Sequence, residues 1–250
     1  MLFSRCSLRA IVAAVFAGCL TLAAPLACAE AKTLIFFLPD SPPQGIKTAD
    51  SPRGIMHDVA VEAARRAGYK AETGFIPWPR TLDEVKYGEN LLIAGLSRVP
   101  SREDSFTWIY PVFSLSRVFV TTGPVINSYE EGREKLGRIA VHYGSMEKTM
   151  LLAGGFAANQ LSFITTNTPL LDFLVRGRVD ALYRPLIEIK WLLRGRTDLR
   201  RLVIGQPMQS TDQYIACSLR CDPVIVEGLQ TALKSMQADG AIDHIMKAYE

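Results

Sequence analysis

The chain lacks most of the short patterns that mark common enzymes. It has no G-x-S-x-G, no G-x-G-x-x-G, no Walker-type glycine loop and no H-E-x-x-H. The usual marks of α/β-hydrolases, dinucleotide enzymes, P-loop NTPases and zinc peptidases are therefore missing. Its three histidines, His57, His142 and His244, stand far apart without metal-ligand spacing. Runs of like charge are also missing. The 28 basic and 25 acidic residues are interspersed, with a formal net charge of +3, and such a balance gives no phosphate-tracking surface. A nucleic-acid partner is excluded on that ground. Neither low-complexity segments nor internal repeats occur, and 48% of the 250 residues are hydrophobic. That composition supports a packed core in one large or two ordinary domains, not a disordered or coiled-coil chain.

The N-terminus sets the compartment. Arg5 and Arg9 form a basic start, and Ile11 to Ala27 carry no charge. Ala27-Cys28-Ala29 then supplies the small-x-small pattern of a signal-peptidase site, so residues 1–29 read as an export signal cleaved before Glu30. The apolar stretch is short for a membrane anchor and contains Pro25. Phe16-Ala17-Gly18-Cys19 offers a lipoprotein alternative. The expected mature chain is periplasmic, with twenty-six basic residues against twenty-five acidic and a net charge of +1. Three of the five cysteines, Cys6, Cys19 and Cys28, leave with the signal; Cys217 and Cys221 remain as a pair. A straight strand would hold them about 13 Å apart, beyond bridging distance. A bond therefore demands a tight turn, and in an oxidising compartment it is the expected state. Two buried free thiols are the alternative. Asp222-Pro223 just beyond reads as N-cap and first residue of a helix.

Hydrophobic spacing then gives an alternating chain. Strands are expected at 33–38, 70–76 and 91–96. Between them lie a helix carrying Ile55, Met56, Val59, Ala60, Ala63, Ala64 and Ala67, and a short one opened by the capping box Thr81-Leu82-Asp83-Glu84. The pattern restarts with strands at 138–143, 161–165 and 179–183. Helices are expected at 145–152, from Thr168-Pro169 to Gly177, and at 185–194. A last amphipathic helix carries Ile225, Leu229, Ala232, Leu233 and Met236 and stops at Gly240. Two β-α-β units in series, joined by an extended 114–122, imply an α/β fold with two lobes.

Few residues stand out as chemistry. Ser145-Met146-Glu147-Lys148 fits the S-x-x-K of serine β-lactamases, but neither S-D-N nor K-T-G occurs, and Ser145 reads as a helix N-cap. No catalytic set, metal site or cofactor is expected. Two loops leave strand ends, where ligands of open α/β sheets gather. In Pro77-Trp78-Pro79-Arg80, two prolines would hold Trp78 as a flat wall for an apolar or planar solute; a lobe-surface tryptophan packed on its own helix is the alternative. In Gly95-Leu96-Ser97-Arg98-Val99-Pro100-Ser101-Arg102, Arg102 offers a planar fork matched to a carboxylate. The plain alternative for Arg102 is a surface ion pair with Glu103 or Asp104.

Five motifs in order carry a resemblance. They are Gly54-Ile55-Met56-His57-Asp58; Gly95-Leu96-Ser97 with Pro100-Ser101-Arg102-Glu103, followed by Tyr110-Pro111-Val112-Phe113; Val141-His142-Tyr143-Gly144-Ser145; Leu174 to Ala181; and Asp239-Gly240 with Lys247-Ala248-Tyr249. Together they resemble the family 3 extracellular solute-binding proteins, the periplasmic receptors of polar amino-acid ABC importers, over residues 32–250. The resemblance implies a type II periplasmic binding protein fold, two α/β lobes joined by a two-strand hinge. Lobe 1 would be 30–115 with 213–250, lobe 2 would be 116–212, and 213–217 would be the return strand. It also implies a monomer that captures a small solute in the cleft for a membrane permease.

Within that frame Arg102 falls where the family grips a solute carboxylate, and Ser97, with Gly95, where a hydroxyl or backbone group assists. Gly144 and Ser145 fall at the second-lobe helix N-terminus, while Trp78 and Arg80 belong to the first-lobe loop. Met146 stands where amino-acid receptors often have Thr. Arg184-Pro185 stand where they commonly place the carboxylate that pairs an α-ammonium. This departure points to a carboxylate-bearing solute with no obligatory amine, unless Glu188, one helical turn on, restores the acid. Two alternatives remain: an exported enzyme resembling cyclohexadienyl dehydratase, with Glu188 or His142 as acid, and a solute sensor for a membrane partner.

Overall fold

The computed structural model describes residues 31–48, 51–165, 169–199 and 201–249. The export signal read in 1–29 and its three cysteines lie outside the described residues, as does Thr168. The first half builds β1 (Thr33–Phe37), α1 (Ile55–Arg66), β2 (Lys70–Gly74), α2 (Trp78–Tyr87) and β3 (Leu92–Ser97). The long β4 (Thr107–Thr121) leads to α3 (Tyr129–Lys135), β5 (Ile139–His142), α4 (Met146–Ala153), β6 (Leu161–Ile164) and α5 (Leu170–Val175). Then come β7 (Ala181–Pro185), α6 (Leu186–Leu193), β8 (Val203–Ile204) and β9 (Ser210–Cys217), and last α7 (Pro223–Ala238) and α8 (Ala241–Ala248).

Strand order is β2-β1-β3-β9-β4-β7-β5-β6, with β8 on β4. β1 runs parallel to β2 and β3, and β5 runs parallel to β6 and β7. β4 does double duty. Its first part pairs antiparallel with β9 from Thr107↔Cys217 to Ser116↔Ser210, and its last five residues pair with β7. Apolar packing divides at the same place. One cluster gathers β1, α1, β3, β9 and α7 around Phe36, Met56, Leu229 and Leu233; two others gather around Phe119, Leu151 and Tyr183, and around Val118, Leu174 and Ile189.

Helix faces follow the spacing of their apolar residues. The residues buried in α1 are Ile55, Met56, Val59, Ala60, Ala63 and Ala64, and those in α7 are Ile225, Leu229, Ala232, Leu233 and Met236. α2 departs from expectation. It starts at Trp78 behind Pro77, three residues before the capping box, and Thr81 is a buried residue whose hydroxyl reaches the Ile76 carbonyl at 3.4 Å. Proline fits the first helical turn because its missing N–H is unneeded there, so Pro79 nucleates what the capping box was expected to open. β7 starts two residues late because Asp180 accepts hydrogen bonds from the Gly137 and Arg138 amides and fixes the strand's start. α8 went unseen because Gly240, read as a stop, adopts φ +77 and turns the chain directly into another helix.

Cys217 and Cys221 are bonded, with Cα atoms 6.0 Å apart. The required turn is held by Ser218 N–H to the Leu91 carbonyl (3.0 Å) and Asp222 N–H to Asn90 Oδ1 (2.7 Å). Asp222 then caps α7 by accepting from the Val224 amide, with Pro223 in the first turn. A loop this small stabilises by about 2 kcal/mol on the chain-entropy estimate. Urea titration with and without reductant should show the reduced protein less stable by about that amount, and equal stability would contradict a structural role for the bond.

Candidate functional site

The carboxyl ends of β1, β2 and β3 face those of β5, β6 and β7 across a cavity of about 370 Å³. This is where an open α/β sheet collects ligands. Gly95, Ser97, Arg102, Trp78, Ser145 and Arg184 line it. Gly95 adopts φ +94 at a bulge between Ala94 and Leu96, and a Cβ there would sit 3.3 Å from both Met56 and Pro39. Glycine thus lets the loop after β1 close on the strand, while the bulge re-aims the next residues. Ser97 is buried and accepts from the Gln213 amide at 2.8 Å. Trp78 lines the wall and also packs on the cluster of Val85, Ile93 and Leu96.

Arg102 sits on the turn after β3. Its Nη1 donates to the Ser97 carbonyl at 3.4 Å, and among the described residues it has no ion-pair partner. The expected rival is gone: Glu103 pairs with Arg98, whose Nε lies 3.0 Å from it. Burial pushes the Arg102 guanidinium down to about 10, eased by Glu147 and reinforced by Arg117, so it stays cationic at neutral pH.

The second half contributes a buried chain of charge. Arg117 Nε lies 2.9 Å from Glu147 Oε1, and Arg184 Nη1 lies 3.7 Å from Glu147 Oε2. Arg184 Nη2 is 2.5 Å from Glu188, and all four side chains are at most 5% exposed. Burial alone would raise the Glu147 carboxyl, but Arg184 and Arg117 hold it at about 2. Burial pushes the Glu188 carboxyl above its ordinary range, and the Arg184 guanidinium beside it works in the opposite direction. Arg117 also donates to Thr211 Oγ1 at 2.8 Å, tying β4 to β9 beside the cavity.

Two expected residues stand elsewhere. Arg80 is outside the lining: it points from α2 into solvent, 69% exposed, with Nε 3.2 Å from Glu84 one helical turn on. The early start of α2 causes this, since Arg80 falls on its outer face. Gly144 adopts φ +71 and is also outside the lining; a Cβ there would meet Pro79 of the opposite half at 3.1 Å. It permits close approach of the two halves. Ser145 holds the N-cap position of α4, but its hydroxyl donates to the His142 carbonyl at 2.8 Å instead of capping an amide. Glu188 lies behind the wall, spent on Arg184, and does not restore an acid to the cavity.

Arg117 and Glu147 were missed as cavity residues. The signal was present: Arg117 is a lone charge in the apolar run of β4, and a buried strand tolerates one only if paired. Three buried polar atoms have no hydrogen-bond partner among the described residues, namely Gln44 Oε1, His142 Nε2 and Arg184 Nε, and all three residues line the cavity.

A two-part sheet, crossover strands and a cleft at facing strand ends define a type II periplasmic binding protein fold. The chain belongs to the bacterial extracellular solute-binding proteins, family 3, whose family model matches residues 34–250. An ancestral arginine-binding protein bound to arginine superposes with a TM-score of 0.76 at 20% identity, covering 88% of this chain and 99% of that one. A histidine kinase sensor domain with similarity to periplasmic binding proteins gives 0.76 at 18%, covering 88% and 96%. The ancestral amino acid-binding protein AncCDT-1, a precursor of cyclohexadienyl dehydratase, gives 0.73 at 18%, covering 87% and 94%. No curated protein matches the chain in sequence.

Burial first, and then the Arg184 charge, push the His142 imidazole down to about 3, with Glu147 opposing. In the unfolded chain a histidine takes its proton near pH 6.5. Between those limits the unfolded state binds more protons, so this group's contribution falls as pH drops from 6.5 towards 3. NMR titration should find His142 neutral at pH 5; a midpoint near 6.5 would contradict its burial against Arg184.

Proposed function

We propose that this protein is an exported solute-binding protein that captures a small, carboxylate-bearing solute between two lobes and presents it to the permease of an ABC importer. The observation that carries the reading is Arg102, a half-buried guanidinium on the cavity wall that has no ion-pair carboxylate among the described residues. Removing such a cation from water is costly unless an anion meets it. Ser97 and Gly95 shape the wall beside it, Trp78 covers the flank, and Ser145 and Arg184 approach from the other side.

In this reading lobe 1 comprises 30–115 and 213–250, lobe 2 comprises 116–212, and β4 and β9 cross between them as the hinge. An open form dominates without solute, and contacts made to both lobes shift the population to the closed form. The chain acts as a monomer in the periplasm after loss of residues 1–29. It is a receptor and not an enzyme: Glu147 is held ionised between two guanidiniums, and Glu188 is paired with Arg184 outside the lining, so neither is placed to give up a proton.

A sensory role is the second reading, favoured by the likeness to the histidine kinase sensor domain. There the closed lobes would signal to a membrane kinase in place of feeding a permease.

A thermal-shift screen of carboxylates, amino acids and polyamines should find stabilising solutes only among those with a carboxylate. Titration calorimetry on such a solute should then show Arg102→Ala weakening binding by about 2–5 kcal/mol. Unchanged affinity would remove Arg102 from the site.

A further inference from the structure

We propose that the solute is a small monocarboxylate whose second recognition group is an uncharged oxygen, a hydroxyl or a carbonyl, held by Arg184 and His142. The inference rests on the reading above that Arg102 takes the carboxylate.

The second-lobe end of the cavity is built for a single neutral acceptor. Arg184 spends one terminal nitrogen on Glu147 and the other on Glu188, which leaves its Nε–H as a lone donor with no partner among the described residues. That side chain is 4% exposed, so water does not satisfy the donor cheaply. His142 Nε2 is a second unpartnered atom on the same wall, on a ring kept neutral beside Arg184. A hydroxyl can accept from Arg184 and donate to the imidazole, and a carbonyl can accept from both. Gln44 Oε1, a third unpartnered atom on the opposite half, with its residue 6% exposed, is an acceptor that a second carboxylate would repel.

Charge decides against the other classes. Arg102, Arg117 and Arg184 line the cavity with Glu147, and Glu188 meets Arg184 behind the wall, so three guanidiniums stand against two carboxyl groups; Lys47 and Asp40, also in the lining, carry one charge of each sign. One carboxylate neutralises the excess, whereas a dicarboxylate leaves the buried set negative. An α-ammonium would have to approach Glu147 between two guanidiniums, which raises the like-charge density there.

The test is titration calorimetry of the purified protein against two matched series. The six-carbon series contains hexanoate, 2-hydroxyhexanoate, 6-hydroxyhexanoate, 2-oxohexanoate, norleucine and adipate. The aromatic series contains 3-phenylpropionate, 3-phenyllactate, 3-(4-hydroxyphenyl)propionate, phenylpyruvate, phenylalanine and benzylmalonate. In at least one series a hydroxy or oxo acid should bind about ten-fold more tightly than the unsubstituted acid, the factor one well-made hydrogen bond supplies. It should also exceed the amino acid and the diacid. Arg184→Lys keeps the charge facing Glu188 but removes the Nε donor, and should collapse that preference to under about three-fold. His142→Leu is the second variant if the first does not fold, with the same loss expected. Tighter binding of norleucine, phenylalanine or a diacid overturns the proposal, and if Arg102→Ala abolishes that binding, carboxylate capture still stands. Preference for an oxygen-bearing acid that neither variant alters overturns the assignment to Arg184 and His142. Absence of binding by every member overturns both.

Discussion

Three guanidiniums line one cleft with the carboxylate of Glu147, and only Glu188, behind the wall, adds a second to the set; the cost of holding that imbalance away from water constrains the rest of the site. Burying a charge is tolerable only when it is paired and hydrogen-bonded. Glu147 serves Arg117 and Arg184 together, and Glu188 takes the remaining terminal nitrogen of Arg184. These contacts fix the second-half cations in place. Arg102 receives no such partner, so the residual charge is localised on the opposite wall, where an incoming anion would meet it.

The backbone makes this charge distribution possible. β4 pairs with β9 over its first part and with β7 over its last, so one strand carries Arg117 from the first sheet half into the second. Arg117 reaches Glu147 on α4 and Thr211 on β9 from that seam. These two strands cross between the halves, so the charge chain lies beside the crossover. Glycine is needed at the closest approaches: Gly95 against Pro39 and Met56, and Gly144 against Pro79.

Most of the fold was legible because apolar spacing reports burial directly. The five residues buried in α7 are those its spacing picked out, and so are the six in α1; the seventh expected there, Ala67, is the half-buried C-cap beyond the helix. Boundaries were less legible where a local signal competed with another. Pro79 outweighed the capping box at Thr81, and Gly240 joined two helices instead of ending the chain's last one. Several quoted motifs turn out to hold the scaffold. Gly54 donates to the Tyr249 hydroxyl, which in turn donates to Asp58 at 2.7 Å; Asp180 receives two amides at the start of β5. Of the eight expected site residues, six line the cavity, because strand ends are readable from sequence. Arg80 failed on helix phase, and Gly144 on serving contact between halves. Arg117 and Glu147 were illegible as a pair because thirty residues separate them and only the sheet brings them together.

A crystal structure of the protein with a stabilising carboxylate bound decides whether Arg102 is the anion site. Carboxylate oxygens should lie on the Arg102 guanidinium, with both halves of the chain touching the solute and the Arg117–Glu147–Arg184 contacts intact. A solute seated elsewhere, or held with its carboxylate in solvent and Arg102 turned away, would contradict it.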